Sequence, residues 1–259
     1  MILDRIVADK KLYIEEAKKR NPVGELMSSN GKAKRSIISA LQSCPVAVIA
    51  EIKRRSPSGG EMNVAYGLEE LAGIYERSGA VAISVLTDEK YFGGLPEDLR
   101  LVKAASGLPV LRKDFIVDAY QVFEAKHFEA DAILLIAALL DDNELSTLMD
   151  LAHELGLEVL LEIHTKGELE RAIESGAKLI GINNRNLDTL KTDLATSFDL
   201  LEMVPDDRVI ISESGISTSS DIGRLLEAGA DGFLIGESLL KSGDPAAKLS
   251  ELLSARAGQ

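Results

Sequence analysis

Eight short apolar runs recur along the chain, and a longer segment of mixed character separates each run from the next. The runs are rich in valine, isoleucine and leucine, and they are nearly continuous rather than alternating. Such runs are typical of parallel strands that are covered on both faces, and their shortness favours strand over buried helix. They lie at 46–52, 80–86, 109–111, 132–138, 158–163, 179–182, 209–212 and 232–235.

Most of the segments between these predicted strands carry the signals of an amphipathic helix. The segment 141–155 begins with acidic residues that suit an N-cap and a first turn, and Gly156 ends it. Thr165 and Glu168 have the spacing of a capping box at the start of the next helix, and Thr218 begins a further one. The pattern therefore predicts strands and helices in alternation.

A short repeat supports the number of these units. Gly79-Ala80, Gly176-Ala177 and Gly229-Ala230 each follow a predicted helix and precede an apolar run. Glu129-Ala130 takes the same place without the glycine. A glycine at the C′ position, closely followed by a strand, is typical of the joint in a βα repeat. About eight such units predict an α/β fold of the (β/α)8 (TIM) barrel type.

An open, doubly wound sheet is the alternative to a closed barrel. No G-x-G-x-x-G sequence follows the first predicted strand, which disfavours the dinucleotide-binding form of that fold.

Residues 1–45 precede the first predicted strand, and they also have the pattern of helices. Asn21-Pro22 and Asn30-Gly31 interrupt this segment. We expect an N-terminal helical extension that packs on the barrel, so that residues 1–259 form a single (β/α)8 barrel domain. Apolar side chains recur in the extension at helical spacing, at Leu3, Ile6, Val7, Ile14, Ala17, Ile37, Ile38 and Leu41.

Charge and cysteine content narrow the function classes. Lysine and arginine number 29 and aspartate and glutamate 42, so the formal net charge is −13. Such an acidic chain lacks the electrostatic footprint of a nucleic-acid-binding protein, and anionic membranes would repel it. A small anionic substrate remains compatible with this charge, because a local basic cluster can dominate one cleft. The single cysteine, Cys44, excludes an intramolecular disulfide and a cysteine-rich metal site.

Targeting signals are not expected in this chain. Acidic residues interrupt its start and no long apolar core follows, so a signal peptide is not predicted. The longest apolar run, 132–140, is much shorter than the ~20 residues that a membrane helix needs. We expect a cytoplasmic monomer that has neither a membrane nor a nucleic acid as its partner.

Charged side chains stand at the ends of several predicted strands, where a barrel places its active site. Glu51 and Lys53 end the first strand and share a side, because residues two apart share a face. Lys113 ends the third strand and Glu162 the fifth. Charged residues in apolar strands are costly to bury unless they are paired or used, and facing lysines and glutamates suit acid–base chemistry. The other polar strand ends are Asn183, Arg185, Glu213 and Ser214.

Two glycine turns indicate a phosphate site. Gly215 follows the seventh predicted strand and Gly236 the eighth, where backbone N–H groups usually bind phosphate in barrels. The loop 54–60 is basic and flexible in composition, and Ser56 could donate a hydrogen bond there. Plain tight turns and a solvated surface loop are the alternative interpretations.

Aromatic and histidine residues complete the candidates. Phe92 and Phe115 lie near strand ends and could enclose an aromatic substrate, although core packing is the alternative. The histidines His127, His153 and His164 lack metal-ligand spacing, so we expect structural roles and no metal. His164 lies two residues after Glu162 and could face the same side.

Six longer motifs lie at 51–58, 86–94, 109–115, 161–164, 181–187 and 212–216. They resemble motifs of the indole-3-glycerol-phosphate synthase family, in its monofunctional form. The resemblance covers essentially the whole chain. It implies a carboxy-lyase of tryptophan biosynthesis that acts on 1-(2-carboxyphenylamino)-1-deoxyribulose 5-phosphate. Ring closure, loss of CO2 and loss of water would give indole-3-glycerol phosphate.

The resemblance also implies a role for each site residue. Lys113 would be the general acid that activates the ketone, and Glu162 the acid–base carboxylate of the dehydration. Lys53 would lie near the substrate carboxylate, and no cofactor is expected because a lysine can supply the electrophilic push. For Glu237 the resemblance implies only a phosphate contact through the backbone N–H, since some relatives have serine at this position. The remaining implied roles are orientation by Glu51 and Asn183, a polar rim of Arg185, Glu213 and Ser214, phosphate binding by Ser56, Gly215 and Gly236, and an anthranilate pocket of Phe92, Phe115 and Leu134.

Two other functions stay open from the sequence. A phosphate-binding barrel of the sugar-phosphate isomerase type would need the glycine turns, but not a lysine on the third strand with a glutamate on the fifth. A catalytically silent barrel scaffold would be expected to lack charged residues at some strand ends, and here all of them are occupied.

Overall fold

Eight parallel strands close into a barrel in the structure, a computed structural model that describes residues 2–27, 34–56, 60–62, 66–187 and 189–255. The strands are β1 (Val48–Ile52), β4 (Ala82–Leu86), β5 (Val110–Lys113), β6 (Ala132–Ile136), β7 (Glu158–Ile163), β8 (Leu179–Asn183), β9 (Val209–Glu213) and β10 (Gly232–Ile235). Each pairs with the next along the chain, and β10 pairs with β1. The (β/α)8 prediction is confirmed, and the open-sheet alternative is wrong.

Helices follow the strands and surround the barrel, as the alternating pattern predicts. Asp141 caps the helix that begins at Asp142, with a reciprocal capping box to Glu144. The helices are α1 (Ile2–Arg20), α2 (Val23–Leu26), α3 (Ile37–Leu41), α4 (Leu68–Arg77), α5 (Glu89–Phe92), α6 (Asp98–Ala105), α7 (Ala119–His127), α8 (Asp142–Glu154), α9 (Lys166–Glu174), α10 (Ala195–Leu201), α11 (Ser219–Glu227), α12 (Glu237–Lys241) and α13 (Pro245–Leu253).

The predicted joints between helix and strand adopt left-handed backbone. Gly79, Gly176 and Gly229 have φ of 94°, 78° and 102°. Glu129, which replaces the glycine in the fourth joint, has φ of 66° and so adopts the same conformation. The geometry of the joint is therefore kept where the glycine is absent, at the cost of placing a Cβ in the left-handed region.

Alternation along the strands decides which side chains reach the barrel interior. Ile49, Leu111, Leu160 and Ile211 belong to an apolar cluster inside the barrel, separate from the larger cluster beneath the helices. Side chains two positions apart in a strand point the same way. The residues two positions further on therefore also face inward, at the C-terminal mouth of the barrel; they are Glu51, Lys113, Glu162 and Glu213.

The N-terminal extension packs against both ends of the barrel. Lys10 of α1 forms salt bridges of 2.7 Å with Asp88 and with Asp114, which follow β4 and β5, so α1 lies at the C-terminal mouth. At the opposite end, the Glu158 carboxylate accepts hydrogen bonds from the first backbone N–H groups of α3. The predicted break at Asn21-Pro22 is confirmed, since α1 ends at Arg20, whereas Asn30-Gly31 lies outside the described residues.

The basic loop after β1 is more ordered than its composition suggests. Its strands β2 (Arg55–Ser56) and β3 (Gly60–Glu61) form an antiparallel hairpin, and residues 57–59 between them lie outside the described part. Arg54 donates to the Asp98 carboxylate at 2.5 Å and to the Gly93 carbonyl at 2.7 Å. These contacts hold Arg54 and the hairpin strands in defined positions beside the start of α6. No helix in the described part of the chain is long and apolar enough to cross a membrane.

Candidate active site

A cleft of about 570 Å³ opens at the C-terminal mouth of the barrel. Its wall contains every residue that the sequence predicts for catalysis, substrate binding or phosphate binding. The closed barrel therefore brings together, at the C-terminal ends of its strands, side chains that are far apart in the chain. These residues are Glu51, Lys53, Ser56, Phe92, Lys113, Phe115, Leu134, Glu162, Asn183, Arg185, Glu213, Ser214, Gly215, Gly236 and Glu237.

Lys113 lies at the centre of the charged residues in this cleft. Its Nζ donates to Glu162 Oε2 at 2.7 Å and to Glu213 Oε2 at 2.9 Å. Burial disfavours the charged form of Lys113, but these two carboxylates outweigh that effect and raise its pKa above the ordinary value. In this state the ammonium is held firmly in its protonated form.

The two carboxylates around Lys113 are in different environments. Burial raises the pKa of Glu162, but Lys113 and His164 outweigh it, so the pKa is well below the usual range. Burial, together with the nearby charge of Glu162, raises the pKa of Glu213 to about 7 although Lys113 opposes the shift. A Cβ atom at position 181 would lie only 2.1 Å from Glu213 Oε1. Glycine at 181 therefore makes room for this carboxylate.

Lys53 and Glu51 form a second pair at the end of β1. Their Nζ and Oε1 atoms are 2.6 Å apart, and both side chains are mostly buried. The backbone of Gly236 passes close to this pair, since a Cβ at that position would approach Glu51 Oε1 within 2.5 Å. The close approach of the Glu51 side chain therefore favours glycine at position 236.

A third ion pair lies near the predicted phosphate turns. Glu237 accepts from Arg185 at 3.2 Å and from Lys241 at 2.6 Å, and these contacts hold its pKa below the ordinary value. Arg185 is positioned in part by its backbone N–H, which donates to Asn183 Oδ1 at 3.0 Å. The cleft cations Lys53, Lys113 and Arg185 are therefore each already paired with a carboxylate.

The turn after β9 has an unusual backbone that a residue outside the prediction stabilises. Ser214 and Gly215 are consecutive left-handed residues, with φ of 66° and 80°. The Asn184 amide donates to the Glu213 and Ser214 carbonyls at 2.9 and 3.0 Å. A Cβ at Gly215 would approach Thr192 Cγ2 within 2.6 Å. The turn is thus packed against Thr192, and a bulky residue at position 215 would clash there without any ligand present.

The apolar part of the cleft combines barrel residues with the N-terminal helix. The rings of Phe92 and Phe115 lie 6.1 Å apart at a tilt of 34°, and Leu134 is part of the same wall. Leu3 and Ile6 of α1 also line the cleft, which the sequence analysis missed. Their helical spacing marks a buried face, but it contains no information about which end of the barrel that face covers.

The three histidines occupy different surroundings. His127 lies 3.3 Å from the Leu26 carbonyl and His153 is exposed on α8, whereas His164 contacts Glu162. No cluster of three or more histidine, cysteine, aspartate or glutamate side chains suited to a metal ion occurs among the described residues.

Comparison with solved structures identifies the same architecture in barrels of distant sequence. N-acetylmannosamine-6-phosphate 2-epimerase from Clostridium perfringens has a TM-score of 0.62, and the match covers 82% of this chain and 93% of that one. Thiamine phosphate pyrophosphorylase from Pyrococcus furiosus has a TM-score of 0.57, with coverage of 80% and 93%. Both are 16% identical in sequence, so they support the fold alone.

Comparison of sequences is far more specific. The profile of the family described as "Indole-3-glycerol phosphate synthase" matches residues 3–252. A protein of that name from Dehalococcoides mccartyi strain 195 is 46% identical over 259 residues, covering 98% of this chain and 100% of the relative. One from Legionella pneumophila strain Paris is 46% identical over 254 residues, covering 98% of each. The chain therefore belongs to the indole-3-glycerol phosphate synthase family.

Proposed function

We propose that this protein converts 1-(2-carboxyphenylamino)-1-deoxyribulose 5-phosphate into indole-3-glycerol phosphate in tryptophan biosynthesis. The observation that carries the proposal is the position of Lys113, buried between two glutamates. It lies in a cleft that has an aromatic wall and glycine turns. An acid, a carboxylate base, an aryl pocket and a phosphate site are the four requirements of this reaction.

Ring closure is the step that we assign to Lys113. The ring carbon that bears the carboxylate attacks the ketone carbon, and Lys113 protonates the ketone oxygen as its negative charge develops. In the present state the lysine protons are directed at Glu162 and Glu213. The ketone oxygen must therefore take the place of one carboxylate contact, which lowers the affinity of the lysine for its proton.

The later steps restore the aromatic system. Loss of CO2 returns the bonding electrons to the benzene ring, and loss of water then forms the indole double bond. In that dehydration the hydroxyl leaves the former ketone carbon as water, with a proton taken from solvent, while Glu162 accepts a proton from the adjacent methylene carbon. Its low pKa keeps Glu162 ionised and so able to accept the proton.

Substrate placement follows from the walls of the cleft. The anthranilate ring would lie against Phe92, Phe115 and Leu134, with its carboxylate near Lys53. The phosphate would bind the backbone N–H groups around Gly215 and Gly236 and the Ser56 hydroxyl. Lys53, Lys113 and Arg185 are already paired, so we assign phosphate capture mainly to these N–H groups.

A turnover assay tests the proposed activity directly. Incubation with the named substrate should produce indole fluorescence, and the chain has no tryptophan to add background. A pentulose phosphate that lacks the aryl amine should remain unchanged, because it has no ring to close. Isomerisation of that sugar without indole formation would support the isomerase alternative, and inactivity towards both would support the scaffold.

Glu237→Gln tests the phosphate site. If phosphate binds beside Glu237, loss of that carboxylate should strengthen competitive inhibition by inorganic phosphate. The expected decrease in inhibition constant is roughly fivefold, or about 1 kcal/mol for one partly exposed charge. The difference should shrink as salt is added. Glu202→Gln, at an exposed position beside α10, is the control and should leave inhibition unchanged. An unchanged constant for Glu237→Gln would place the phosphate elsewhere.

A cytoplasmic monomer is also part of the proposal. A phosphorylated substrate does not cross membranes unaided, so the enzyme must work where that substrate is made. The exposed large apolar side chains come from separate elements, and single residues of this kind are normal on a monomer. They include Leu12 in α1, Leu101 in α6 and Met203 after α10.

A further inference from the structure

His164 lies directly behind Glu162, with its ring between two carboxylates. Its Nε2 is 3.4 Å from Glu162 Oε1, and its Nδ1 is 3.3 Å from Glu168 Oε2. The side chain is only 10% exposed. The Nδ1 contact has the geometry of a hydrogen bond, whereas Nε2 is buried without a hydrogen-bond partner among the described residues, so Glu162 acts on the ring as a nearby negative charge. Two carboxylates within 3.4 Å of the ring nitrogens therefore stabilise the imidazolium form of His164.

The start of α9 explains how His164 is held in this place. Thr165 caps the helix and accepts from the Glu168 backbone N–H, as the sequence predicts. In a full capping box the Glu168 carboxylate would return to the Thr165 N–H. Here it accepts from the His164 backbone N–H at 2.8 Å and also faces the ring. One carboxylate thus fixes both the backbone and the ring of His164.

Because of this arrangement, the two glutamates beside Lys113 have different electrostatic surroundings. Both present Oε2 to the lysine, but only Glu162 has a second cation facing its other oxygen. Glu213 Oε1 is buried and has no hydrogen-bond partner among the described residues. Without His164, two similar buried carboxylates would compete for one ammonium group, and either could take up a proton.

We propose that His164 is a positioning residue that makes Glu162, rather than Glu213, the ionised carboxylate beside Lys113. The inference rests on the acid–base role proposed above for Glu162. Lys113 loses its positive charge when it protonates the ketone, so it then no longer stabilises a neighbouring carboxylate. His164 remains behind Glu162 and keeps that carboxylate charged and oriented for the dehydration, while Glu213 can hold a proton.

The ionisation of the surrounding groups agrees with this assignment. Burial lowers the pKa of His164, but Glu162 and Glu168 outweigh it and raise the pKa to about 9. Ionisable side chains that contact the ring within the described part of the chain are Glu162 of β7 and Glu168 of α9, and Lys113 of β5 lies beyond Glu162. His164 is thus cationic at neutral pH, and its charge is lost as the pH rises through about 9.

His164→Gln is the first test, with steady-state kinetics measured across pH. Glutamine keeps a hydrogen-bonding group but removes the charge, so the pKa of Glu162 should rise. We expect kcat at neutral pH to fall about tenfold or more, with KM within about twofold. The acid limb of the kcat profile should move to higher pH. His153→Gln, which removes the exposed histidine of α8, should match the wild type in both respects.

A second measurement does not depend on activity, and its first part uses the wild-type protein. In ¹⁵N NMR of the wild-type protein, both His164 ring nitrogens should be protonated at pH 7 and titrate near pH 9. Glu168→Gln should move that titration to lower pH. A neutral His164 ring at pH 7 would overturn the proposal, as would an unchanged kcat profile in His164→Gln.

Glu162→Gln in the same assay separates this inference from the mechanism on which it rests. Full activity of Glu162→Gln would refute the role of Glu162, and the inference with it. Impaired Glu162→Gln beside unaffected His164→Gln would refute only the role of His164. Impairment of both, with the shifted acid limb in His164→Gln, is the result that supports the proposal.

Discussion

Lys113→Ala should lower kcat by about 10²–10⁴-fold, the contribution expected of a general acid. The lysine is the cation that reaches both Glu162 and Glu213, so its loss also leaves two carboxylates buried without that partner. Breaking a buried ion pair in this way costs about 3–5 kcal/mol, although Glu213 can relieve part of it by taking up a proton. The measurements are single-turnover indole formation and the unfolding midpoint.

Lys113→Arg separates the loss of the acid from the loss of stability. Arginine restores a cation between the two carboxylates, but it does not give up its proton in proteins. We expect an unfolding midpoint closer to that of the wild type than Lys113→Ala has, together with an equally severe loss of turnover. Activity within a few-fold of the wild type in either variant would show that another group protonates the ketone.

Glu162→Gln should arrest the reaction late. The amide keeps the size of the side chain and can still contact Lys113, but it no longer accepts a proton. Dehydration should therefore slow by about 10²–10⁴-fold, while ring closure and decarboxylation continue. In a single turnover, CO2 release should precede indole fluorescence and the hydroxylated intermediate should accumulate.

Glu213→Gln is the matched comparison, since it removes the other carboxylate that contacts Lys113. It should not separate CO2 release from indole formation, because the dehydration base is still present. Equal slowing of the two signals in Glu162→Gln, or a late arrest in both variants, would contradict a role of Glu162 in dehydration alone.

The strand and helix pattern contained most of the architecture of this protein. Continuous apolar runs identified buried parallel strands, and caps such as Asp141 marked where a helix begins. Even the joint at Glu129, which lacks the expected glycine, followed the repeat. These features are local, because they depend on residues within a few positions of one another.

The candidate site could also be predicted from the sequence, because barrel topology converts order along the chain into proximity. Strand ends from distant positions meet at one mouth, and side chains two apart share a face. Strand order and the family resemblance together predict that Lys113, Glu162 and Glu213 line one cleft, and all three lie in its wall. The sequence also predicts the glycine turns that lie beside them.

Which charged groups are paired was decided only by the tertiary structure. Nothing in the local pattern indicates that Lys113 contacts two glutamates, that Glu237 pairs with Arg185, or that α1 places Leu3 on the wall of the cleft. These contacts join residues far apart in the chain, and they depend on barrel curvature and on the end at which α1 packs. The sequence by itself determined the elements, their order and the residue types at the mouth. Only the folded chain determined their partners, because the energy of a buried charge depends on distances of a few ångströms to groups from other strands.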